Sequence, residues 1–219
     1  MFRVKICGIT TVVDAQTVAA AGADAVGLNF FEKSARFLPA ETARAVADAV
    51  PEGVVKVGLF VNAIPEQILE TWDRLSLDVI QLHGDEPPEV LLELQRRPVM
   101  RAFRLGNDGL APVLKYLERC RELGCLPSLV LIDSFHKGHY GGTGKTADWE
   151  IASRYPSEAW HPPIVLAGGL TPENVAQAIA AVRPSAVDTA SGVEVTPGRK
   201  DAGLVQQFVA AARRAFGSM

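Results

Sequence analysis

The sequence predicts an α/β fold, and more narrowly a single (β/α)8 TIM barrel of parallel strands over residues 1–219. About eight short apolar runs alternate with stretches whose apolar residues recur at helical spacing, which is the pattern of repeated βα units. A chain of 219 residues that is 48% hydrophobic can also bury one sizeable core without a second domain. So many units in so short a chain favour a compact closed barrel.

The predicted strands are the apolar runs, most of them continuous, as expected for strands covered on both faces. In chain order they are Val4–Ile9, Ala25–Phe30, Val54–Val61, Val79–Leu82, Val99–Leu105, Leu129–Asp133, Ile164–Ala167 and Ala186–Ala190. An open doubly wound sheet is the alternative arrangement. That fold typically carries Gly-x-Gly-x-x-Gly after its first strand, and Cys7-Gly8-Ile9-Thr10 does not supply it.

Helical patterns lie between the runs, and two of them have recognisable starts. Thr11-Val12-Val13-Asp14 follows the first strand with residues typical of a helix start. In Thr171-Pro172-Glu173-Asn174 the threonine can cap a helix, the proline fits its first turn and the glutamate suits its positive end. A helix is therefore expected to begin at each of these two segments.

Composition narrows the partners and the compartment. A net charge of −3 and a pI near 5.8, with no lysine-rich block, exclude nucleic acid as a partner. We expect a cytoplasmic protein with no membrane partner, because the sequence shows neither a secretory signal nor a bilayer-spanning apolar run. Three unevenly spaced cysteines give no disulfide framework, and a reducing compartment would keep Cys7 a thiol. The oligomeric state stays open between monomer and homodimer.

Cys7 and Asp133 are the candidate catalytic residues. Each falls at the end of a predicted strand, and the catalytic residues of (β/α)8 barrels sit at the carboxyl ends of their strands. A thiol and a carboxyl group on one pocket can act as base and acid when the site separates their pKa values. Two plainer interpretations stay open: a free cysteine is often a small buried hydrophobe, and an aspartate can simply tie down the following loop.

Two glycine motifs predict a phosphate site. Gly168 and Gly169 end the seventh strand, and Ser191 and Gly192 follow the eighth. In many barrels the backbone N–H groups of these two loops hold a phosphate. The alternative is a pair of ordinary turns that need positive φ.

A third glycine cluster, Tyr140-Gly141-Gly142-Thr143-Gly144-Lys145-Thr146, lies in the long loop after the sixth strand. It resembles a nucleotide-binding P-loop but fails the spacing, because His139 stands where the first glycine would have to be. We expect a mobile lid or an added set of phosphate donors instead.

Arg36 and His83 are candidate substrate contacts. Arg36 follows the second strand and could bind a carboxylate bidentately, although a lone arginine is more often a solvated surface charge. His83 ends the fourth strand, where it could orient a substrate or serve as a hydrogen-bonded structural histidine. No metal site is expected, because His136 and His139 lack ligand partners in a recognisable pattern and His161 lies elsewhere.

Seven stretches, in order along nearly the whole chain, share one pattern. They are Lys5-Ile6-Cys7-Gly8-Ile9-Thr10, Gly22-Ala23-Asp24-Ala25-Val26-Gly27, Lys33-Ser34-Ala35-Arg36, Val79-Ile80-Gln81-Leu82-His83-Gly84, Tyr140-Gly141-Gly142-Thr143-Gly144-Lys145-Thr146, Ala167-Gly168-Gly169-Leu170 and Ser191-Gly192-Val193-Glu194. With these stretches the chain resembles the phosphoribosylanthranilate isomerase family of tryptophan biosynthesis. The first stretch together with the fifth is far more specific than any single glycine motif.

The resemblance implies an isomerase that acts without cofactor or metal. Its substrate would be N-(5′-phosphoribosyl)anthranilate, and its product 1-(o-carboxyphenylamino)-1-deoxyribulose 5-phosphate, formed by an Amadori rearrangement. Asp133 would be the general acid that protonates the furanose ring oxygen, so that the ring opens to a Schiff base. Cys7 would be the general base that removes the proton from ribose C2′.

The resemblance also implies the binding residues. Arg36 would hold the anthranilate carboxylate, and Asp188 would line the pocket. The phosphate would bind at Gly168, Gly169, Ser191 and Gly192, beside a mobile loop that holds Gly144 and Lys145. The sequence departs from the family pattern at Thr189-Ala190-Ser191, where two serines are expected before the glycine, so one hydroxyl contact near the phosphate is missing.

Two other functions stay open on sequence alone. One is a related phosphosugar barrel, such as an imidazole-carboxamide ribotide isomerase, which performs the same Amadori chemistry. Those enzymes resemble two half-barrels with an aspartate ending strands 1 and 5, whereas Cys7 ends the first strand here and no half-to-half repeat is visible. The other is a non-catalytic barrel that binds a phosphorylated ligand, and such a barrel would need neither Cys7 nor Asp133.

Overall fold

A computed structural model describes residues 2–133 and 146–218. Eight parallel strands close into a barrel in chain order, and β1 completes the ring by pairing with β8. The strands are β1 Val4–Cys7, β2 Ala25–Asn29, β3 Val55–Phe60, β4 Val79–Leu82, β5 Val99–Arg104, β6 Leu129–Asp133, β7 Ile164–Ala167 and β8 Ala186–Thr189. The predicted (β/α)8 barrel is confirmed.

Helices follow the strands, as the alternation of patterns predicts. They are α1 Val12–Ala20, α2 Ala40–Asp48, α3 Pro65–Leu75, α4 Val90–Glu93, α5 Ala111–Leu123, α6 Thr146–Ser153, α7 Val175–Val182 and α8 Ala202–Gly217. Between β8 and α8 the chain adds a 3-10 helix, Ser191–Val193, and a small antiparallel hairpin of β9 Glu194–Thr196 and β10 Arg199–Lys200. Within the described residues, none of these helices combines the length and hydrophobicity needed to cross a bilayer.

All eight predicted strands are in the right place: three match the observed bounds, and five are one or two residues too long. The first strand stops at Cys7 because Gly8 turns the chain with a φ of +79°. The N–H groups of Gly8 and Ile9 then both donate to the carbonyl oxygen of Gly27, each at 2.9 Å. This double contact fixes the exit from β1 against β2, just beyond Cys7.

One predicted helix start is confirmed and one is wrong. Thr11 caps α1, because its Oγ1 accepts the N–H of Asp14 at 3.0 Å. The helix predicted at Thr171 begins instead at Val175. The N–H groups of Asn174 and Val175 both donate to the carbonyl oxygen of Thr171, at 3.3 and 3.0 Å, so residues 171–174 form a turn that leads into the helix. Asn174 Oδ1 accepts the N–H of Thr171 at 2.8 Å and closes this turn.

The strands place apolar side chains in two layers. One layer fills the barrel interior and includes Met100 and Ala102 of β5 with Leu129 and Leu131 of β6. The alternate residues of the strands pack outward against the helices. In β1 the outward residues are Val4 and Ile6, so the two-residue period leaves Lys5 and Cys7 on the inner face.

Candidate functional site

A cavity of about 430 Å³ opens at the carboxyl ends of the strands. Its walls include eight of the residues that the sequence predicts for the site: Cys7, Arg36, His83, Asp133, Gly168, Gly169, Asp188 and Ser191. Gly192 lies directly beyond Ser191 in the 3-10 helix. Gly144 and Lys145 lie outside the described residues. The described part of the chain therefore places its predicted catalytic and binding residues at a single opening.

Cys7 lies at the end of β1, beside a buried ion pair. Its side chain is only 7% exposed, and it still lines the cavity. Lys5 Nζ lies 3.0 Å from Asp188 Oδ1, and both of these side chains are buried. Burial raises the pKa of the Cys7 thiol, while the ammonium groups of Lys5 and Lys200 oppose that rise. The thiolate that a general base requires is thus favoured by two cations and disfavoured by burial.

Gly27 of β2 makes room for this group. A Cβ on Gly27 would stand 2.6 Å from Cys7 Sγ, closer than real Cβ atoms come, and 3.0 Å from Lys5 Nζ, which is a tight contact. The sulfur and the ammonium therefore occupy the space that a side chain would fill. Because Gly27 has no left-handed φ, the need for glycine here comes from this close approach and not from the backbone conformation.

Asp133 closes β6 and reaches the same cavity. Its strand pairs with β5 through Arg104 and with β7 through Ala167, so the carboxyl group stands between two strand ends. Around the ring, β8 and β7 separate β1 from β6. Cys7 and Asp133, the predicted base and acid, therefore lie on separate walls of the same cavity.

Arg36 is engaged by a carboxylate of the protein itself. Its Nε and Nη2 donate to Glu194 Oε1 and Oε2 at 2.8 and 2.6 Å. Glu194 starts the β9–β10 hairpin and also accepts from Lys200 Nζ at 2.7 Å. The hairpin thus holds the guanidinium at the rim of the cavity, and Arg36 is no freely solvated surface charge.

His83 is neutral at physiological pH. Burial, followed by the positive charges of Arg104, Lys5 and Arg101, lowers its pKa to about 4. Gln81 Nε2 lies 2.9 Å from His83 Nδ1, and because an amide nitrogen only donates, Nδ1 accepts and the ring proton sits on Nε2. His83 can therefore offer one N–H donor to a ligand in the cavity.

Arg101 and Glu86 anchor the loop that carries His83. Arg101 of β5 is buried, and its Nη1 and Nη2 donate to the carbonyl oxygens of Leu82 and Gly84, each at 2.9 Å. Glu86 lies 3.2 Å from the same guanidinium and accepts the N–H of Gly84 at 2.9 Å. These contacts fix the backbone on both sides of His83.

The predicted phosphate end is built from two loops in close contact. Gly168 and Gly169 have φ values of +95° and +63°, which favour glycine. A Cβ on Gly192 would overlap the carbonyl oxygen of Leu170, so only a glycine lets the loop after β8 approach the loop after β7. Thr189 Oγ1 joins the same loops by donating to Leu170 O at 2.7 Å.

A second cavity, of about 480 Å³, lies at the opposite face of the barrel. Its charged groups are already paired, since Arg213 lies 2.7 Å from Asp24 and the Arg3 guanidinium stacks over Phe216. It holds none of the predicted site residues. In the part of the chain that the structure describes, no group of three or more His, Cys, Asp or Glu side chains could hold a metal ion.

Comparison with known proteins decides the family. A family model described as N-(5′-phosphoribosyl)anthranilate isomerase matches residues 4–211. The chain belongs to the phosphoribosylanthranilate isomerase family. The N-(5′-phosphoribosyl)anthranilate isomerase of Trichlorobacter lovleyi is 45% identical over 217 residues, which cover 99% of this chain and 100% of that one. The corresponding protein of a Geobacter species is 46% identical over 215 residues, covering 98% of this chain and 99% of its own.

Solved isomerases of the family share the barrel. The crystal structure of phosphoribosyl anthranilate isomerase from Thermotoga maritima is 41% identical, with a TM-score of 0.82, and covers 98% of this chain and 100% of that one. A second structure, 38% identical with a TM-score of 0.80, is a complex with reduced 1-(o-carboxyphenylamino)-1-deoxyribulose 5-phosphate and has the same coverage. The expected isomerase family is confirmed, and the match favours it over the ribotide isomerase alternative.

Three charged residues of this site, Lys5, Glu194 and Lys200, were not predicted from the sequence. Lys5 could have been found, because in Val4-Lys5-Ile6-Cys7 the two-residue period places it on the inner face with Cys7. Glu194 belongs to a family stretch but carries no local signal for its pairing with Arg36. Lys200 lies six residues further on, and only the fold of the hairpin shows that it reaches Cys7.

Proposed function

We propose that this chain isomerises N-(5′-phosphoribosyl)anthranilate to 1-(o-carboxyphenylamino)-1-deoxyribulose 5-phosphate, a step of tryptophan biosynthesis. The observation that carries the proposal is the meeting of Cys7, Asp133 and the two glycine loops on one cavity. A base, an acid and a phosphate anchor are what an Amadori rearrangement of a phosphosugar requires.

Asp133 starts the reaction as the general acid. It transfers a proton to the furanose ring oxygen while the bond from that oxygen to C1′ breaks and the nitrogen lone pair forms a C=N bond. The product of this step is an open-chain, cationic Schiff base. Its positive charge acidifies the neighbouring C2′ proton, so a base of moderate strength is enough for the next step.

Cys7 completes the reaction as the general base. Its thiolate takes the C2′ proton, and the electrons of the broken C–H bond neutralise the Schiff base as an enolamine. The enolamine then gains a proton at C1′ and loses one from the C2′ hydroxyl, which gives the ketone. Lys5 and Lys200 support this role because their charges favour the thiolate that burial disfavours.

The remaining residues bind and orient the substrate. Arg36 receives the anthranilate carboxylate, His83 offers its Nε2 proton to the ligand, and Asp188 shapes the pocket wall through Lys5. The phosphate binds at the loops of Gly168, Gly169, Ser191 and Gly192, whereas Gly144 and Lys145, which the sequence predicts for the same ligand, lie outside the described residues. The close packing of these loops at Gly192 supports the assignment.

This function requires the small phosphoribosyl substrate as its partner. It requires neither a nucleic acid nor a membrane. The described site residues come from one chain, so a monomer or a homodimer can carry the activity; one Thermotoga maritima structure consists of monomers derived from a dimeric isomerase. Sedimentation distinguishes the two states. We also propose a cytoplasmic location, since all three cysteines are unpaired and a reducing compartment keeps Cys7 a thiol.

The test is the loss of anthranilate-type fluorescence when the purified protein meets phosphoribosylanthranilate generated in situ. Wild type is expected to turn over, while Cys7→Ala and Asp133→Asn fall by about a hundredfold or more, as loss of general acid–base catalysis predicts. Cys125→Ala is the matched control, because that cysteine contacts the backbone of Pro88 outside the cavity. An inactive wild type, or full activity in Cys7→Ala, would overturn the assignment.

A further inference from the structure

Three charged side chains form a continuous array at the rim of the cavity: Arg36, Glu194 and Lys200. Glu194 lies in the middle and accepts two hydrogen bonds from Arg36 and one from Lys200. The side chains of Glu194 and Lys200 are buried, whereas that of Arg36 is 24% exposed and lines the cavity. The array therefore presents one partly open cation, supported by two buried charges.

Lys200 is an ammonium ion by its geometry. Its Nζ donates to Glu194 Oε1 at 2.7 Å, to Cys7 O at 2.6 Å and to Ala190 O at 3.2 Å. Three acceptors use three N–H donors, and a neutral amine has only two. Glu194 is its anionic partner: although burial opposes ionisation, the hydrogen bonds from Arg36 and Lys200 hold the pKa of this carboxyl below its ordinary value.

The array consequently carries a net charge of +1, from two cations and one anion. An arginine that pairs bidentately with a buried glutamate alone would form a neutral unit with little attraction for a second carboxylate. Because Lys200 already neutralises Glu194, the charge of Arg36 remains available to a ligand. Among the described residues, Arg36 Nη1 has no hydrogen-bond partner, so a donor remains as well as the charge.

We propose that Lys200 is the specificity-determining charge of the anthranilate subsite, and that Glu194 is the positioning residue that aims Arg36. Lys200 acts without touching the ligand. It selects for a carboxylate by setting the charge of the array, while Glu194 fixes the guanidinium plane. The inference rests on the proposed function, because it takes the carboxylate of the substrate as the ligand of Arg36.

A purely structural role for Lys200 makes a different prediction. Its bonds to Cys7 O and Ala190 O tie the β9–β10 hairpin to the end of β1 and to the loop after β8. If that were its whole role, removing it would weaken every ligand of the cavity to the same degree. A charge effect instead weakens only ligands that bear the carboxylate.

The test uses two ligands and isothermal titration calorimetry. One is reduced 1-(o-carboxyphenylamino)-1-deoxyribulose 5-phosphate, and the other is the same compound with a phenyl ring that lacks the carboxylate. Wild type is expected to bind the carboxylated ligand more tightly by about tenfold or more, as one charge-assisted contact predicts. In Lys200→Met that ratio of dissociation constants should fall towards one, while binding of the ligand without carboxylate changes little.

Two further variants make the outcome decisive. Glu194→Gln/Lys200→Met removes one charge of each sign and keeps an amide oxygen that can accept from Arg36. The array then keeps the +1 of Arg36 and one of its positioning contacts, so most of the ratio should return. Lys56→Met is the control, since this β3 lysine contacts the backbone of Leu75 away from the array and should keep the wild-type ratio. Should Lys200→Met fail to fold, Lys200→Gln takes its place, because it removes the same charge and keeps an amide donor for the carbonyl oxygens of Cys7 and Ala190.

The inference is overturned if Lys200→Met weakens both ligands equally, if its ratio stays at the wild-type value, or if the double variant binds without the preference. Each of these results is a binding result and does not depend on turnover. The proposed function fails separately, when wild type leaves the fluorescent substrate unchanged. If wild type turns over the substrate but the ratios of dissociation constants in the variants do not follow the charge of the array, only the proposed role of Lys200 is contradicted.

Discussion

The buried ion pair of Lys5 and Asp188 predicts a large loss of stability that a second substitution should repair. The two charges lie 3.0 Å apart, with side chains 0% and 8% exposed. Lys5→Met leaves the Asp188 carboxylate buried without its partner, and breaking a buried pair in this way costs about 3–5 kcal/mol. For a chain of this length each kcal/mol lowers Tm by about 2–4 °C, so the expected fall is roughly 6–20 °C.

The loss should depend on pH in one direction. Burial raises the pKa of Asp188 above its ordinary value of 3.8, and Lys5 is the main group that opposes the rise. Without Lys5 the pKa of the folded carboxyl rises further, so the folded variant keeps a proton that the unfolded chain releases. The contribution of Asp188 to the stability of Lys5→Met is therefore fully present below pH 3.8 and is lost as the pH rises towards the folded pKa.

Urea unfolding at pH 4 and pH 7, followed by circular dichroism, measures both effects. Lys5→Met/Asp188→Leu should recover most of the lost stability at pH 7, because replacing a whole buried pair by apolar groups is often neutral. Arg44→Met is the control: its pair with Asp48 is largely exposed, and such pairs contribute about 0–1 kcal/mol. The reasoning is refuted if Lys5→Met unfolds like wild type, or if the double variant is as unstable as the single one.

Three further perturbations test other parts of the site. Gly27→Ala should lower kcat by about tenfold or more, since its Cβ displaces the thiol of Cys7, which we propose as the base. Gly106→Ala, with nothing within 4 Å of its added Cβ, should leave kcat unchanged, and equal kinetics for the two variants would contradict the packing argument. His83 should stay neutral in an NMR titration down to about pH 4. The free energy of unfolding should fall as the pH drops from 6.5 to about 4, because His83 binds a proton in the unfolded chain but not in the folded one. His83→Gln should remove that part of the pH dependence. Gly192→Ala should force the loops after β7 and β8 apart. It should weaken the binding of inorganic phosphate, measured by inhibition, more than the binding of anthranilate. An unchanged phosphate affinity would contradict the loop assignment.

The barrel could be predicted from the sequence because its strands are buried on both faces. Continuous apolar runs such as Leu129–Asp133 then stand out from the helical spacing around them. The ends of the elements were less certain, since they depend on contacts with other segments. β1 ends where Gly8 meets the carbonyl of Gly27, and α7 begins only after a hydrogen-bonded turn at residues 171–174.

The site was predictable wherever barrel geometry assigns a place to a residue. Cys7 and Asp133 end strands, so the fold alone brings them to one opening. The partners of these residues were not predictable in the same way. Arg36 and Glu194 stand 158 positions apart, and their contact depends on how the hairpin folds back over the loop after β2.

The pairing of β1 with β8 must wait until nearly the whole chain has been synthesised. Lys5 meets Asp188 across 183 positions of sequence, and Lys200 reaches the carbonyl of Cys7 across 193. At a synthesis rate of about 5–20 residues per second, the first strand waits roughly ten to forty seconds for these partners to be made. Until then its edge is unpaired and its lysine has no counter-ion. The contacts that close the barrel also complete the candidate site around Cys7, so a chain whose synthesis stops early lacks that site and exposes an open sheet edge.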